Sequence, residues 1–200
     1  MNRTMVIAAA ASLALAGCGE PAANHAAEAN AAATAAPAAN AAAARGDEAG
    51  SPTLLLDATG ILAGGAEESR IPFGANSLDT IERVVPLLGA TYESNESAEC
   101  GAGPMEFANW DNVVLNFQQG EFVGWELRRA SREPWAGTPG GATIGTPRAE
   151  LEAALGAPPI VEQTSLGTEF SAGGFSGLLS GAAPDATVTA LWAGTTCIMR

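Results

Sequence analysis

From Ala22 to Ala44 the chain is alanine broken by Asn24, His25, Glu28, Asn30, Thr34, Pro37 and Asn40, and this stretch limits what the rest can fold into. Alanine favours helix, but the run has no amphipathic face and Pro37 interrupts it. It buries too little apolar surface to offset its own ordering entropy, so it reads as a flexible or partly helical tether. A core must therefore come from the roughly 150 residues that follow, enough for one domain with a real interior. His25, the one histidine of the chain, falls in the tether and reads as solvated.

The residues before the tether carry an address. Arg3 gives a short basic start, and the apolar run Met5 to Ala16 is too short to span a bilayer, as in the core of a signal peptide. The run ends in Leu15-Ala16-Gly17-Cys18, which resembles the bacterial lipobox, in which the cysteine is acylated and becomes the new N-terminus. That resemblance implies a signal peptide over 1–17 and a lipidated N-terminus with its linker over 18–50. Several acyl chains on one residue, palmitate among them, give stable membrane anchoring. By the same resemblance, Gly19 in place of aspartate after the cysteine implies delivery to the outer membrane, facing the periplasm, if the cell is Gram-negative.

Charge narrows the partners. The chain of 200 residues has 22 acidic side chains against nine basic ones, all arginine, for a net charge of −13. Such a surface argues against nucleic acid or anionic lipid held through charge. Once Cys18 carries lipid, Cys100 and Cys197 remain as an even pair in an oxidising compartment, which reads as a disulfide. It closes a loop of roughly 100 residues, for which chain entropy gives about 4–5 kcal/mol.

The folded part reads as one small unit used twice, over 51–133 and 134–200. In the first, Ile71-Pro72-Phe73-Gly74 leads through Asn76-Ser77 into a helical pattern with Leu78, Ile81, Val85 and Leu88 on one face and Gly89 as its end. Pro86 inside this pattern predicts a kink or a tightened turn. In the second, Ala142-Thr143-Ile144-Gly145 leads to Thr146 as N-cap and Pro147 at the first helical position. Leu151, Ala154 and Leu155 form the apolar face and Gly156 ends it, about one turn shorter than the first. Strand patterns follow each helix: Met105 to Trp110, Asn112 to Gln118 and Glu121 to Arg128, then Ser165 to Ser171, Phe175 to Ser180 and Ala186 to Ala193. Gln119-Gly120 and Pro184-Asp185 supply turns, and Glu106-Phe107 and Glu169-Phe170 occupy matching places. The expected fold is α+β, two β-α-β-β-β repeats with antiparallel sheets covered by helices on one face.

Gly145 to Pro158, the run Gly-Thr-Pro-Arg-Ala-Glu-Leu-Glu-Ala-Ala-Leu-Gly-Ala-Pro, resembles the helix motif of the BamE/SmpA outer-membrane lipoproteins. The same motif type occurs in tandem in β-lactamase-inhibitor-like proteins, and Ile71 to Gly89 is similar but longer. The resemblance covers about fifteen residues per copy and implies a small binding module: an accessory subunit of outer-membrane assembly, or an inhibitor presenting a concave sheet.

What the chain lacks is informative. Without histidine past residue 25, the domain has no Ser-His-Asp or Cys-His nucleophile system. Without lysine it has neither a Schiff base nor a Walker-type phosphate loop, and no cofactor or metal is expected. Gly60 to Gly65 has the wrong spacing for a dinucleotide loop and reads as a turn between strands. Glu93, Glu96 and Glu99 lack the alternating ligand spacing of a calcium loop and read as a solvated acidic loop; with Asp111 they leave a carboxylate-based hydrolase as the least favoured reading.

Trp110, Trp125 and Trp192 lie in strands and suit a core or sheet face, whereas Trp135 in the Pro/Gly-rich connector is the candidate exposed anchor. Arg128, Arg129 and Arg132 form a basic cluster able to grip a carboxylate or phosphate, or to pair with local glutamates. The sequence thus favours a non-enzymatic, lipid-anchored periplasmic adaptor contacting an envelope protein, with a hydrolase inhibitor as the alternative. Replacing Cys18 with Ser is expected to move the protein from the membrane to the soluble fraction on cell fractionation; unchanged membrane association would sink the anchoring reading.

Overall fold

Turn residues cut the chain beyond the tether into short extended runs, which pair into two sheets. The computed structural model describes residues 54–128, 130 and 136–197. The expected signal peptide, Cys18, the expected tether, Arg129, Arg132 and Trp135 lie outside them. Strands β1 (Leu54–Asp57), β2 (Gly60–Ala63), β3 (Arg70–Pro72) and β8 (Ala136–Gly137) form a small sheet ordered β3-β2-β1-β8, with β8 parallel to β1. A wide antiparallel sheet takes β4 (Glu93–Ser97), β5 (Met105–Asn109), β6 (Val113–Gln118), β7 (Glu121–Leu127), β9 (Ile160–Thr164), β10 (Gly167–Ala172), β11 (Phe175–Leu179) and β12 (Val188–Gly194). Its order is β4-β5-β6-β7-β12-β11-β10-β9, two four-strand meanders joined between β7 and β12. Two short helices complete the described residues, α1 (Ser77–Leu88) and α2 (Leu151–Leu155). The class is α+β, as expected. Among the described residues no helix is long and apolar enough to cross a membrane.

The element order differs from the expected β-α-β-β-β: three strands, β1 to β3, precede α1, and four strands of the wide sheet follow each helix. In the wide sheet the additional strands are the edges β4 and β9. Glu93-Ser94-Asn95-Glu96-Ser97 has low strand propensity and no apolar alternation, so it reads as a loop. Pairing with β5 makes it a strand nonetheless, and its exposed charge guards the edge against further pairing. The stretch Gly60 to Gly65 is also more than a turn: Gly60–Ala63 is itself β2. A Cβ at Gly60 would lie 2.2 Å from the Ile71 carbonyl oxygen, so only glycine admits β3 this close.

Helix α1 begins where expected. Asn76 Oδ1 accepts from the backbone N–H groups of Leu78 and Asp79, and Gly89 N–H donates to the Val85 carbonyl at the other end. Three of the four residues expected on its apolar face, Ile81, Val85 and Leu88, pack against the core. Thr80 and Val84 are buried, whereas Leu78 is 70% exposed. The Thr80 hydroxyl donates to the Asn76 carbonyl at 2.8 Å, so its polar group is satisfied within the helix and the residue can face the core. Pro86 stands on the exposed side and does not end the helix. In the second helix Thr146 is not the N-cap. Its hydroxyl accepts from Thr143 N–H, and a 3-10 turn over Arg148–Glu150 precedes α2. Gly156 ends α2 in the left-handed region at φ 72°.

Both helix entries are clasped onto the last strand of their meander by matching backbone bonds. Gly74 N–H donates to Phe122 O, Phe122 N–H to Ala75 O, and Ser77 N–H to Gly120 O. In the second meander Gly145 N–H donates to Val188 O, Val188 N–H to Thr146 O, and Arg148 N–H to Ala186 O. The register of each pair then shifts by one residue, between Asn116 and Phe117 and between Leu178 and Leu179. The bulge takes up Val123 in β7 and Thr189 in β12. It also puts Phe122 and Gly124, two residues apart, on opposite faces.

One face of the wide sheet carries the core. Leu115, Phe117, Phe122, Trp125, Leu127, Phe170, Phe175 and Leu191 pack with Leu54, Leu56, Ile61 and Ile71 of the small sheet and with Val84, Leu151 and Leu155 of the helices. The positions expected to match, Glu106-Phe107 and Glu169-Phe170, do not. Phe170 is in the core, opposite Gly177, while the register puts half-buried Phe107 on the other face. Trp125 is fully buried near the junction of the meanders, and its indole N–H donates to the Asp57 carbonyl at 2.8 Å, tying the two sheets together. Replacing Trp125 with Phe removes this donor and some core volume; urea unfolding is expected to show a loss of about 1–3 kcal/mol, with Trp125→Ala costing more.

Candidate interaction surface

Strand alternation gives the wide sheet a second face, away from the core. Its central row runs Asn109, Val114, Glu126, Trp192, Ser176 and Ser171 across neighbouring strands. In the β4 to β7 half the face is polar at its centre, with Asn116 and Glu126. In the β12 to β9 half it carries Ala190, Leu178 and Trp192, ending on exposed Ile160 at the edge.

Glu126 and Arg128 stand two residues apart, so both point to this face. Glu126 is 4% exposed, and its Oε2 accepts from Arg128 Nε at 2.7 Å. Asn116 Nδ2 donates to Glu126 Oε1 at 3.3 Å and to Thr195 O at 3.4 Å, while Asn116 Oδ1 has no partner among the described residues. A buried carboxylate is tolerable only with such partners, so the guanidinium and the amide explain how Glu126 stays in place. Arg128 is half exposed and also lines a cleft of about 440 Å³ with Tyr92, Trp110, Asp111 and Asn112. Trp110 is held there by its indole N–H, which donates to Gly89 O, and by the Tyr92 ring 4.9 Å away.

The C-terminal residues cross part of the same face. Gly194, at φ 74°, turns the chain, and Thr195 N–H donates to Val123 O at 2.8 Å. A Cβ at Gly124 would lie 2.2 Å from Thr195 O, so glycine admits the crossing chain. Beyond it, Cys197 is bonded to Cys100, the expected disulfide.

A second charge group lies on the small sheet. Arg70 bridges Asp57 at 3.3 Å and Glu67 at 2.9 Å. Burial acts to raise the Asp57 pKa, but hydrogen bonds from the Thr59 hydroxyl and amide and from Arg70 outweigh it and hold the carboxyl below its ordinary value. These contacts close the β1–β2 turn.

Of the expected contact residues, Arg128 is on the second face, bound to Glu126; Arg129, Arg132 and Trp135 fall outside the described residues. Trp110, Trp125 and Trp192 are buried, as their strand positions suggested. Glu93, Glu96 and Glu99 are all exposed, and among the described residues no three His, Cys, Asp or Glu side chains converge as a metal site. Asn116 and Glu126 escaped sequence reading. The available signal was Glu126 between Trp125 and Leu127 with an arginine two residues on, a spacing that puts opposite charges on one side of a strand. Comparison of the chain with protein-family models, curated proteins and solved structures finds no match.

Replacing Arg128 with Ala strips Glu126 of its cation. Urea denaturation is expected to show a loss of about 1–3 kcal/mol, most of it recovered when Glu126→Gln is added to the same chain. Equal losses in the single and double variants would mean that the pair contributes nothing.

Proposed function

We propose that this chain is a lipid-anchored binding module of the bacterial cell envelope, non-catalytic, which docks an envelope protein on the second face of its wide sheet. The observation that carries the reading is the sheet itself. Eight strands bury one face in a shared core, while the other presents half-buried Phe107 and Leu178, exposed Ile160 and Arg128, the last held by buried Glu126. A broad surface mixing apolar and paired polar groups suits protein recognition. The non-catalytic part rests on composition: no lysine, and a single histidine in the tether. Anchoring rests on the lipobox resemblance at Cys18, which would hold the module at the outer membrane on the periplasmic side.

We also infer that 51–133 and 134–200 descend from one unit used twice. The matching three-bond clasps and the bulge that follows each support this. Each unit is then a helix followed by a four-strand meander, a modification of the β-α-β-β-β unit expected from sequence. The BamE/SmpA-like and inhibitor-like motif is compatible with such a duplication.

A photo-crosslinking amino acid placed at Phe107 or Leu178 in cells tests the docking face, with Leu78 on the outward side of α1 as control. Adducts with an integral or outer-membrane protein at 107 and 178, and none at 78, are expected. Adducts with a soluble hydrolase whose activity falls would replace the adaptor reading by the inhibitor one; no face-specific adduct would remove the second face from consideration.

A further inference from the structure

We propose that the Cys100–Cys197 disulfide is a releasable latch that holds residues 195–197 across the second face of the wide sheet. Three observations place it outside the fold's own framework. The buried residues of the core cluster include neither Cys100 nor its neighbour Met105, both of which are buried apart from it. Among the described residues the crossing chain has two hydrogen bonds to the sheet, Thr195 N–H to Val123 O and Asn116 Nδ2 to Thr195 O, the second long at 3.4 Å. Between them it passes over Gly124, where the absent side chain leaves a smooth track.

Two hydrogen bonds and a covalent tie at the far end describe a half-buried segment for which the tie is the strongest single link to the sheet. Such a segment opens locally once the tie is gone. The chemistry needs a dithiol reductant. Its thiolate attacks the Sγ of Cys197, the more exposed of the two cysteines, and Cys100 departs as a thiolate that takes up a proton. The reductant's second thiol then displaces Cys197. Two electrons pass to the protein, which ends with two thiols, and the reductant ends as a disulfide. Cys100 Sγ lies 3.9 Å from the Ser97 carbonyl, an acceptor ready for the new S–H. Release frees the Gly124 track and removes one of the two acceptors of Asn116 Nδ2, enlarging the polar half of the second face. The latch acts whatever partner that face takes.

Hydrogen exchange followed by mass spectrometry on the full chain, oxidised and after reduction with dithiothreitol, tests this, with a Cys100→Ser/Cys197→Ser double variant as a reductant-free control. Amides of residues 195–197 are expected to exchange faster by about tenfold or more, while those of β6, β7 and β12 keep their protection and near-ultraviolet circular dichroism stays native. If protection in those strands falls together with the tail, the disulfide is a staple of the whole fold and the latch is overturned. If the tail keeps its protection without the bond, noncovalent contacts hold it and the latch is equally overturned.

Discussion

The pairing of β7 with β12 is the contact on which the architecture rests. Leu127 stands opposite Leu191, Glu126 opposite Trp192 and Trp125 opposite Ala193. Through these pairs two four-strand meanders become one sheet, and the core becomes one cluster drawing on both. Trp125 sits at this junction and also reaches the small sheet through Asp57. A four-strand meander with a single short helix has little apolar surface to bury alone. Joined, the two place eight strands against one shared layer, and α2, too short to stand by itself, is held by its clasp to β12 and by Leu151 and Leu155 in the core.

The same junction shapes the second face. Glu126 and Trp192 face each other across it, so the polar and apolar halves meet at its centre. Under the proposed duplication, one copy carries at this junction a buried carboxylate with its amide and guanidinium, and the other an indole. Such a group is exacting, since each member leaves the others unsatisfied when removed. It gives the first half of the face a fixed pattern of charge, while the crossing C-terminal residues limit how much of that half is open.

Much of the fold was legible in local chemistry. Asn76, Gly89 and Gly156 mark helix ends because capping and the left-handed conformation depend on the residue itself. Gln119-Gly120 marks its hairpin for the same reason, with Gln119 at φ 55° and Gly120 at φ 81°. The edge strands were not legible. Glu93 to Ser97 becomes a strand only through its neighbour's hydrogen bonds, which local propensity does not record. The two bulges were hidden likewise, because clasps between residues far apart in the chain set the strand register. Asn116 and Glu126 look like ordinary surface polars until the register places them together.

By itself the sequence determined the α+β class, the hairpin turn at Gln119-Gly120, the helix ends at Asn76, Gly89 and Gly156, and the cysteine pair that the structure joins. These follow from residue-level properties: side-chain volume, backbone freedom, charge and redox chemistry. Tertiary structure alone decided the strand order, the addition of β8 to the first segment's small sheet, the burial of Glu126 and the path of the C-terminal residues over Gly124. Each of these depends on pairing between segments tens of residues apart, where the free energy lies in shared burial and mutual hydrogen bonding, and no single segment encodes its partner.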